Sequence, residues 1–147
     1  MRIVLQRVTR GTAKIDGRTV GTVGRGLVLL VGFAPTDGEE ALAWMADKVV
    51  GLRVFPDEEG RMNHSLDEVA GGLLVVSQFT LYGDTRKGRR PSFMDAADPE
   101  IARTYYEKFV EVLRGLGVLV KTGEFGAHME VELCNDGPVT LMLESPG

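Results

Sequence analysis

Residues Leu27 to Phe33 are apolar throughout, and a run of that length and character reads as a β-strand buried on both faces. Such a strand needs chain packed above and below it, so the fold has to be layered around a sheet. The longest apolar stretch, Leu27 to Ala34, is far short of the roughly 20 residues of a membrane-spanning helix. Gln6 and Arg7 break up any signal-peptide core at the N-terminus. A cytoplasmic protein with no membrane partner is expected. At 147 residues and a net charge of −4, the chain is long enough for one real core and is read as a single domain over 1–147. Cys134 is the one cysteine, and only His64 and His128 accompany it as soft ligands. An internal disulfide is therefore excluded, and neither a metal nor a cofactor is expected. Nineteen glycines are about twice the usual share, which points to many turns or close backbone approaches.

Along the chain, Arg2 to Thr9 is rich in β-branched residues, and Asp16-Gly17 separates the runs Thr12 to Ile15 and Arg18 to Val23 as a hairpin turn would. Thr36 to Glu39 fits a capping box, and Leu42, Met45, Ala46 and Val49 follow at helical spacing, which predicts a helix near 37–51. A short strand is expected at Leu52 to Phe55, a loop from Pro56 to Asn63, and a strand from Leu73 to Leu81. Asp98-Pro99 opens a second helix, whose stripe Ile101, Tyr105, Phe109, Val112 and Leu116 ends at Gly115 and Gly117. Two or three strands close the chain. In the clearest, Ala127, Met129, Val131 and Leu133 alternate with His128, Glu130, Glu132 and Cys134, which sets His128 and Met129 on opposite faces and out of one shared pocket. The order ββ(βα)(βα)βββ implies an α+β domain: mixed and antiparallel sheet in a barrel-like layer, with both helices on one face.

The sequence holds no G-x-S-x-G elbow, Walker loop or H-E-x-x-H motif. Four other features can carry chemistry. In Ser77-Gln78-Phe79-Thr80-Leu81 a buried strand acquires three hydrogen-bonding side chains, which serve either a site or simply the strand's end. Asn135-Asp136-Gly137-Pro138-Val139-Thr140 reads as a turn between two strands; with a cis Gly137-Pro138 bond it would present two successive carbonyls able to grip an ammonium group. The run Arg86-Lys87-Gly88-Arg89-Arg90 is either a solvated loop or a polyanion contact, with Phe79, Tyr82 and Phe93 nearby for base stacking. Finally, Gly123 to Met129 mixes small residues with Phe125 and Met129, a pattern that core packing also explains.

These segments together resemble the D-aminoacyl-tRNA deacylase (D-tyrosyl-tRNA(Tyr) deacylase) family. The likeness runs from Met1-Arg2 and Gln6-Arg7-Val8 through Leu52-Arg53-Val54-Phe55, Met62-Asn63, Ser77 to Leu81 and Lys87-Gly88 to Phe93, and on to Phe125-Gly126-Ala127 and Asn135 to Thr140. The resemblance implies a homodimeric hydrolase that removes a D-amino acid, or glycine, from the terminal adenosine of tRNA. By the same resemblance Ser77, Gln78, Phe79 and Thr80 line the ester pocket. Gly137-Pro138, in cis, enters the partner subunit's pocket to bind the substrate ammonium and exclude L side chains; Arg7 supports that loop. Phe125, Ala127 and Met129 surround adenine, while the run Arg86, Lys87, Arg89 and Arg90 is the candidate tRNA contact. Thr80 as nucleophile and the substrate's 2′-hydroxyl as activator remain alternative mechanisms. Two other classes stay open: a non-catalytic nucleic-acid-binding module, and a general esterase using Thr80 or Cys134.

Overall fold

The computed structural model describes residues 1–146. Strands β1 (Arg2–Ile15) and β2 (Arg18–Val23) form the expected antiparallel hairpin. At its tip Asp16 and Gly17 have φ of 50° and 78°, the left-handed pair that a two-residue turn of this type needs. The two strands expected before that turn are one continuous strand of 14 residues. β3 (Gly26–Gly32) pairs antiparallel with β1 and parallel with β6 (Gly72–Ser77), and β7 (Leu119–Thr122) adds in parallel to β6. The sheet therefore runs β2-β1-β3-β6-β7, with β8 (Glu130–Glu144) on the other edge of β1. Between α1 (Glu39–Gly51) and β6 lies a small hairpin of β4 (Phe55–Pro56) and β5 (Met62–His64), and α2 (Pro99–Gly115) precedes β7.

The apolar run behaves as its composition demands. Leu27, Leu29 and Val31 lie in the larger core, with Ile3, Leu5, Leu73 and Val75, against Leu42, Met45 and Val49 of α1 and Tyr106, Phe109 and Leu113 of α2. Val28 faces the other way, into a smaller cluster with Val8, Ala13, Val23, Leu74 and Val76. Both helices thus cover one face of a mixed sheet, as expected, and the other face curls in on itself to give a nearly closed, barrel-like layer. The closing contact is β2 against β7: a Cβ placed on Gly21 would come 2.3 Å from the Thr122 carbonyl oxygen.

Four local expectations need correction. The Thr36 to Glu39 capping box does not form: the helix starts at Glu39, its N-cap Gly38 has no side-chain cap, and the Glu39 carboxylate that would close the box accepts from Lys108 Nζ of α2 instead. The strand expected at Leu52 to Phe55 shrinks to Phe55–Pro56, and part of the expected loop pairs with it as β5; Asp57 Oδ1 makes the turn by accepting the Glu59 and Arg61 N–H groups. The strand expected through Leu81 stops at Ser77 and tightens into a 3₁₀ turn over Phe79–Tyr82. The final strand begins at Glu130 rather than Ala127, and Asn135 to Thr140 is not a turn between two strands but a bulge within one.

Gly21→Ala is expected to destabilise the fold by about 3 kcal/mol, the upper range for overpacking against backbone, whereas Gly24→Ala, with nothing within 4 Å of the added carbon, should stay within about 0.5 kcal/mol. Denaturant midpoints of the two variants check the difference.

Candidate active site

The parallel strands β3 and β6 end side by side, and a cleft of about 550 Å³ opens at their carboxyl ends. Ser77 is the last residue of β6. The next N–H, of Gln78, still reaches the Val31 carbonyl of β3 at 2.7 Å, and beyond it the chain leaves the sheet. In the 3₁₀ turn that follows, Leu81 N–H bonds Gln78 O at 3.2 Å and Gly83 N–H bonds Thr80 O at 2.9 Å. The N–H groups of Phe79 and Thr80 have no acceptor among the described residues, as expected for the opening donors of a helical turn. Ser77, Gln78 and Phe79 line one wall of the cleft; Phe125, Ala127 and Met129 line the other. Six of the expected site residues are thus brought together.

Thr80 stands at the rim, exposed. Its hydroxyl is held by the Gln78 side-chain amide, a donor and not a base, and no titratable group bonds to it among the described residues. Phe79 is 54% exposed and meets Phe93 edge-on with ring centroids 5.1 Å apart, so two aromatic edges border the cleft mouth. Across the cleft, Phe125 leans on buried Tyr106 at 5.7 Å. Desolvation pushes the Tyr106 phenol up to about 12, and its hydroxyl donates to Val75 O at 2.7 Å; it is an uncharged brace for Phe125. His128 corrects the sequence reading, since it lines the same cleft as Met129. Strand alternation does not apply to these residues: residues 127–129 precede β8, in irregular backbone.

Gly137 and Pro138 do not line this cleft. They lie within β8 where the ladder to β1 opens: Val8 pairs with Asn135 and Gln6 with Thr140, so Arg7 alone faces the four residues 136–139. The Gly137-Pro138 bond is cis and Gly137 has φ of 122°. Arg7, buried at 8% exposure, fills the gap: its Nε donates to Asp136 O at 3.1 Å and its Nη1 to Val54 O at 2.7 Å. The Asp136 carboxylate lies 3.3 Å away. Asn135 Nδ2 donates to the carbonyls of Arg7 and Val139 from inside the bulge. The bulge is therefore tied down at both ends, while Gly137 and Pro138 at its crest are exposed.

The basic run sits in an exposed loop closed at its base by reciprocal Asp84–Ser92 backbone bonds of 2.7 and 2.9 Å. Arg86 is not a free cation: it forks onto the Asp84 carboxylate at 3.0 and 2.8 Å. Lys87, Arg89 and Arg90 form no ion pair among the described residues. Cys134 is exposed on β8 opposite Arg10 and does not line the cleft. Sequence reasoning missed the part of the cleft wall built by Ala96, Ala97, Pro99 and Ala102. The signal lay in the small residues around Asp98-Pro99, which let the helix start approach the strand ends. No group of His, Cys, Asp and Glu side chains is arranged to hold a metal, and no helix is long and apolar enough to cross a membrane, among the described residues.

Fold and cleft define a class: a single-domain α+β protein with an aromatic cleft at the end of a mixed, nearly closed sheet. The model of the family described as D-Tyr-tRNA(Tyr) deacylase matches residues 4–144, and the chain belongs to this family, whose members are hydrolases of an aminoacyl-tRNA ester. A protein named D-aminoacyl-tRNA deacylase from Chloroherpeton thalassium is 57% identical over 147 residues, covering 99% of this chain and 97% of that one. Another of that name, from Thermotoga petrophila, is 54% identical over 145 residues, again covering 99% and 97%. A solved structure titled "c-Myc DNA Unwinding Element Binding Protein" superposes with a TM-score of 0.94 at 41% identity over 100% of both chains. A second, titled as a probable eukaryotic D-amino acid tRNA deacylase, shares the fold with a TM-score of 0.84 at 22% identity over 97% of both.

Bonding from the Arg86 side chain and backbone holds the Asp84 carboxyl down at about 2. The pairing is therefore complete above the ordinary carboxyl pKa of 3.8 and is lost only as pH falls through about 2. A carboxyl-carbon NMR titration should place the Asp84 midpoint near 2, and Arg86→Ala, which keeps the backbone N–H bond to Asp84 Oδ1, should raise it only part of the way toward the ordinary carboxylate range.

Proposed function

We propose that this chain is a D-aminoacyl-tRNA deacylase that works in the cytoplasm as a homodimer, hydrolysing the ester between a D-amino acid, or glycine, and the terminal adenosine of tRNA. The observation that carries this is that the N–H groups of Phe79, in the cleft wall, and of Thr80, at its rim, have no acceptor among the described residues, facing a wall of Phe125, Ala127 and Met129. An adenine fits between the apolar side chains of that wall, by stacking that any base allows. The ester then reaches the Ser77 to Thr80 turn, where the two N–H groups meet the developing oxyanion. One such donor is worth roughly a hundred- to thousandfold in rate, and positioning supplies more. The ester is intrinsically reactive, so a water activated by the substrate's 2′-hydroxyl suffices, and Thr80, bonded to an amide donor, serves as a wall of the site and not as its nucleophile.

Chirality is assigned to the crest of the β8 bulge. Gly137 and Pro138 stand exposed, their carbonyls free to meet the substrate ammonium in a second copy's cleft and to leave no room for an L side chain. Dimerisation is supported by the outer edge of β8, which pairs with nothing among the described residues and carries Leu141 and Met142 at 37% and 80% exposure. Lys87, Arg89 and Arg90 supply phosphate contacts to the tRNA. A structural relative is titled as a DNA-element-binding protein, and the same loop would serve a binding module with no catalysis.

Matched D- and L-aminoacyl-tRNA separate these readings: amino acid is released from the D ester alone, whereas release from both marks a general esterase and release from neither a binding module. Gly137→Ala forces a φ of 122° on a residue with a Cβ that would lie 2.8 Å from Arg7 Nη2. It should lower D-ester cleavage about tenfold or more, from a backbone cost of about 1–2 kcal/mol, with Tm shifted by only a few degrees. Thr80→Ala should retain at least about a tenth of wild-type kcat, because loss of a true nucleophile costs several orders of magnitude. A fall to the uncatalysed rate with substrate still bound would make Thr80 the nucleophile.

A further inference from the structure

Phe125 separates two depressions. On one side is the cleft; on the other a shallower hollow of about 670 Å³ is lined by Pro99, Glu100, Arg103, Thr104, Phe125 and Gly126. The two share Pro99, Phe125 and Gly126, so a chain leaving the cleft past this ring enters the hollow directly. The guanidinium carbon of Arg103 sits 4.8 Å from the Phe125 ring centroid. A cation stacked in this way is held by the ring quadrupole while its N–H edges stay open to solvent. Glu100 and Glu107 lie three residues before and four after it, yet Arg103 forms no ion pair with either among the described residues. The Thr104 hydroxyl is turned back to Glu100 O at 3.1 Å. Arg103 is thus an exposed, pre-oriented cation with no ion pair among the described residues, sharing its hollow with the Glu100 carboxylate and stacked on the aromatic ring assigned to the terminal adenine.

We propose that Arg103 binds the phosphodiester joining the terminal adenosine to the nucleotide before it, and that the hollow seats that preceding nucleotide. The inference rests on the placement of adenine against Phe125 described above. The guanidinium offers the paired N–H edge that phosphate oxygens take up, and the hollow gives the next nucleotide a floor. Arg103 is therefore a substrate-positioning residue for the polynucleotide and has no part in the bond cleavage.

Two substrates isolate this role: D-aminoacyl-tRNA, and the same D-amino acid esterified to adenosine alone, which has no phosphate. Arg103→Glu should raise KM for the tRNA severalfold at unchanged kcat and leave kcat/KM for the adenosine ester within about twofold, while Arg103→Lys, which keeps the charge but not the stacked, paired N–H edge, should recover only part of the lost tRNA affinity. Arg103→Ala should lower the slope of log KM against log salt for the tRNA by about 0.7, the value of one single-strand phosphate contact. An unchanged KM for the tRNA would overturn the proposal, and so would an equal loss on both substrates, which would mean that Arg103 acts through the Phe125 ring. Wild-type protein inactive on both esters would sink the deacylase reading itself, an outcome distinct from either.

Discussion

Strand β1 is hydrogen-bonded along both edges, to β3 and then β2 on one side and to β8 on the other, and every other feature takes its position from that double pairing. A strand held on both sides has no freedom to slip, because a shift of one residue would turn Ile3 and Leu5 out of the core. The ladder to β8 shifts register at Thr9 and opens widest opposite Arg7. There four residues of β8 face one of β1, and the gap is filled by a buried guanidinium. A buried charge is tolerated only when its donors are matched, and the Asp136 and Val54 carbonyls together with the Asp136 carboxylate match them. The shape of the bulge is therefore set by one charged side chain that the rest of the sheet encloses.

The cleft follows from a second consequence of the same sheet. Parallel neighbours β3 and β6 finish at the same level, so the chain leaves the sheet after Ser77, and the donors that follow the last sheet bond, Gln78 N–H to Val31 O, have no acceptor among the described residues. The start of α2 and the irregular 125–129 segment close over that end. Tyr106 locks Phe125 from within, through a hydroxyl already committed to Val75 O. Rigid walls around free N–H groups arise here from strand termination, with little dedicated machinery.

Much of this was legible in the residues. The Leu27 to Phe33 run specified a doubly covered strand, Asp16-Gly17 its hairpin, and Asp98-Pro99 the start of α2, since each signal is local and backbone-driven. The Thr36 to Glu39 box misled because the helix starts at Glu39, later than the box requires, and the Glu39 carboxylate is taken by Lys108 of α2, a long-range partner that spacing does not display. Asn135 to Thr140 looked like a turn because Asn, Asp, Gly and Pro favour turns wherever they occur; only the partner strand, running unbroken past it, makes it a bulge. Alternation failed for His128 and Met129 because they precede the strand. The cleft wall at Ala96 and Ala97 offered only its small residues around Asp98-Pro99 as a signal, and small residues become legible only through what approaches them.

The remaining step concerns where selectivity can reside. On the proposed function, the Thr80 hydroxyl, held by the Gln78 amide and bonded to no titratable group among the described residues, leaves the chemical step to donors, water and the substrate itself. Backbone N–H groups stabilise the oxyanion of either enantiomer equally, and interactions that do not differ between two substrates cannot separate them. On the proposed function, sorting by handedness therefore falls to a surface that touches the α-carbon substituents before the ester reaches the Phe79 and Thr80 donors. Steric exclusion of that kind works only if the excluding group does not yield. Among the described residues the bulge crest at Gly137 and Pro138 has that property: it is exposed, yet anchored on both flanks by Arg7 and Asn135. Since it does not line its own chain's cleft, the proposed function brings the selective surface and the donors together only in a dimer, and the doubly paired β1 would carry the rigidity from one to the other.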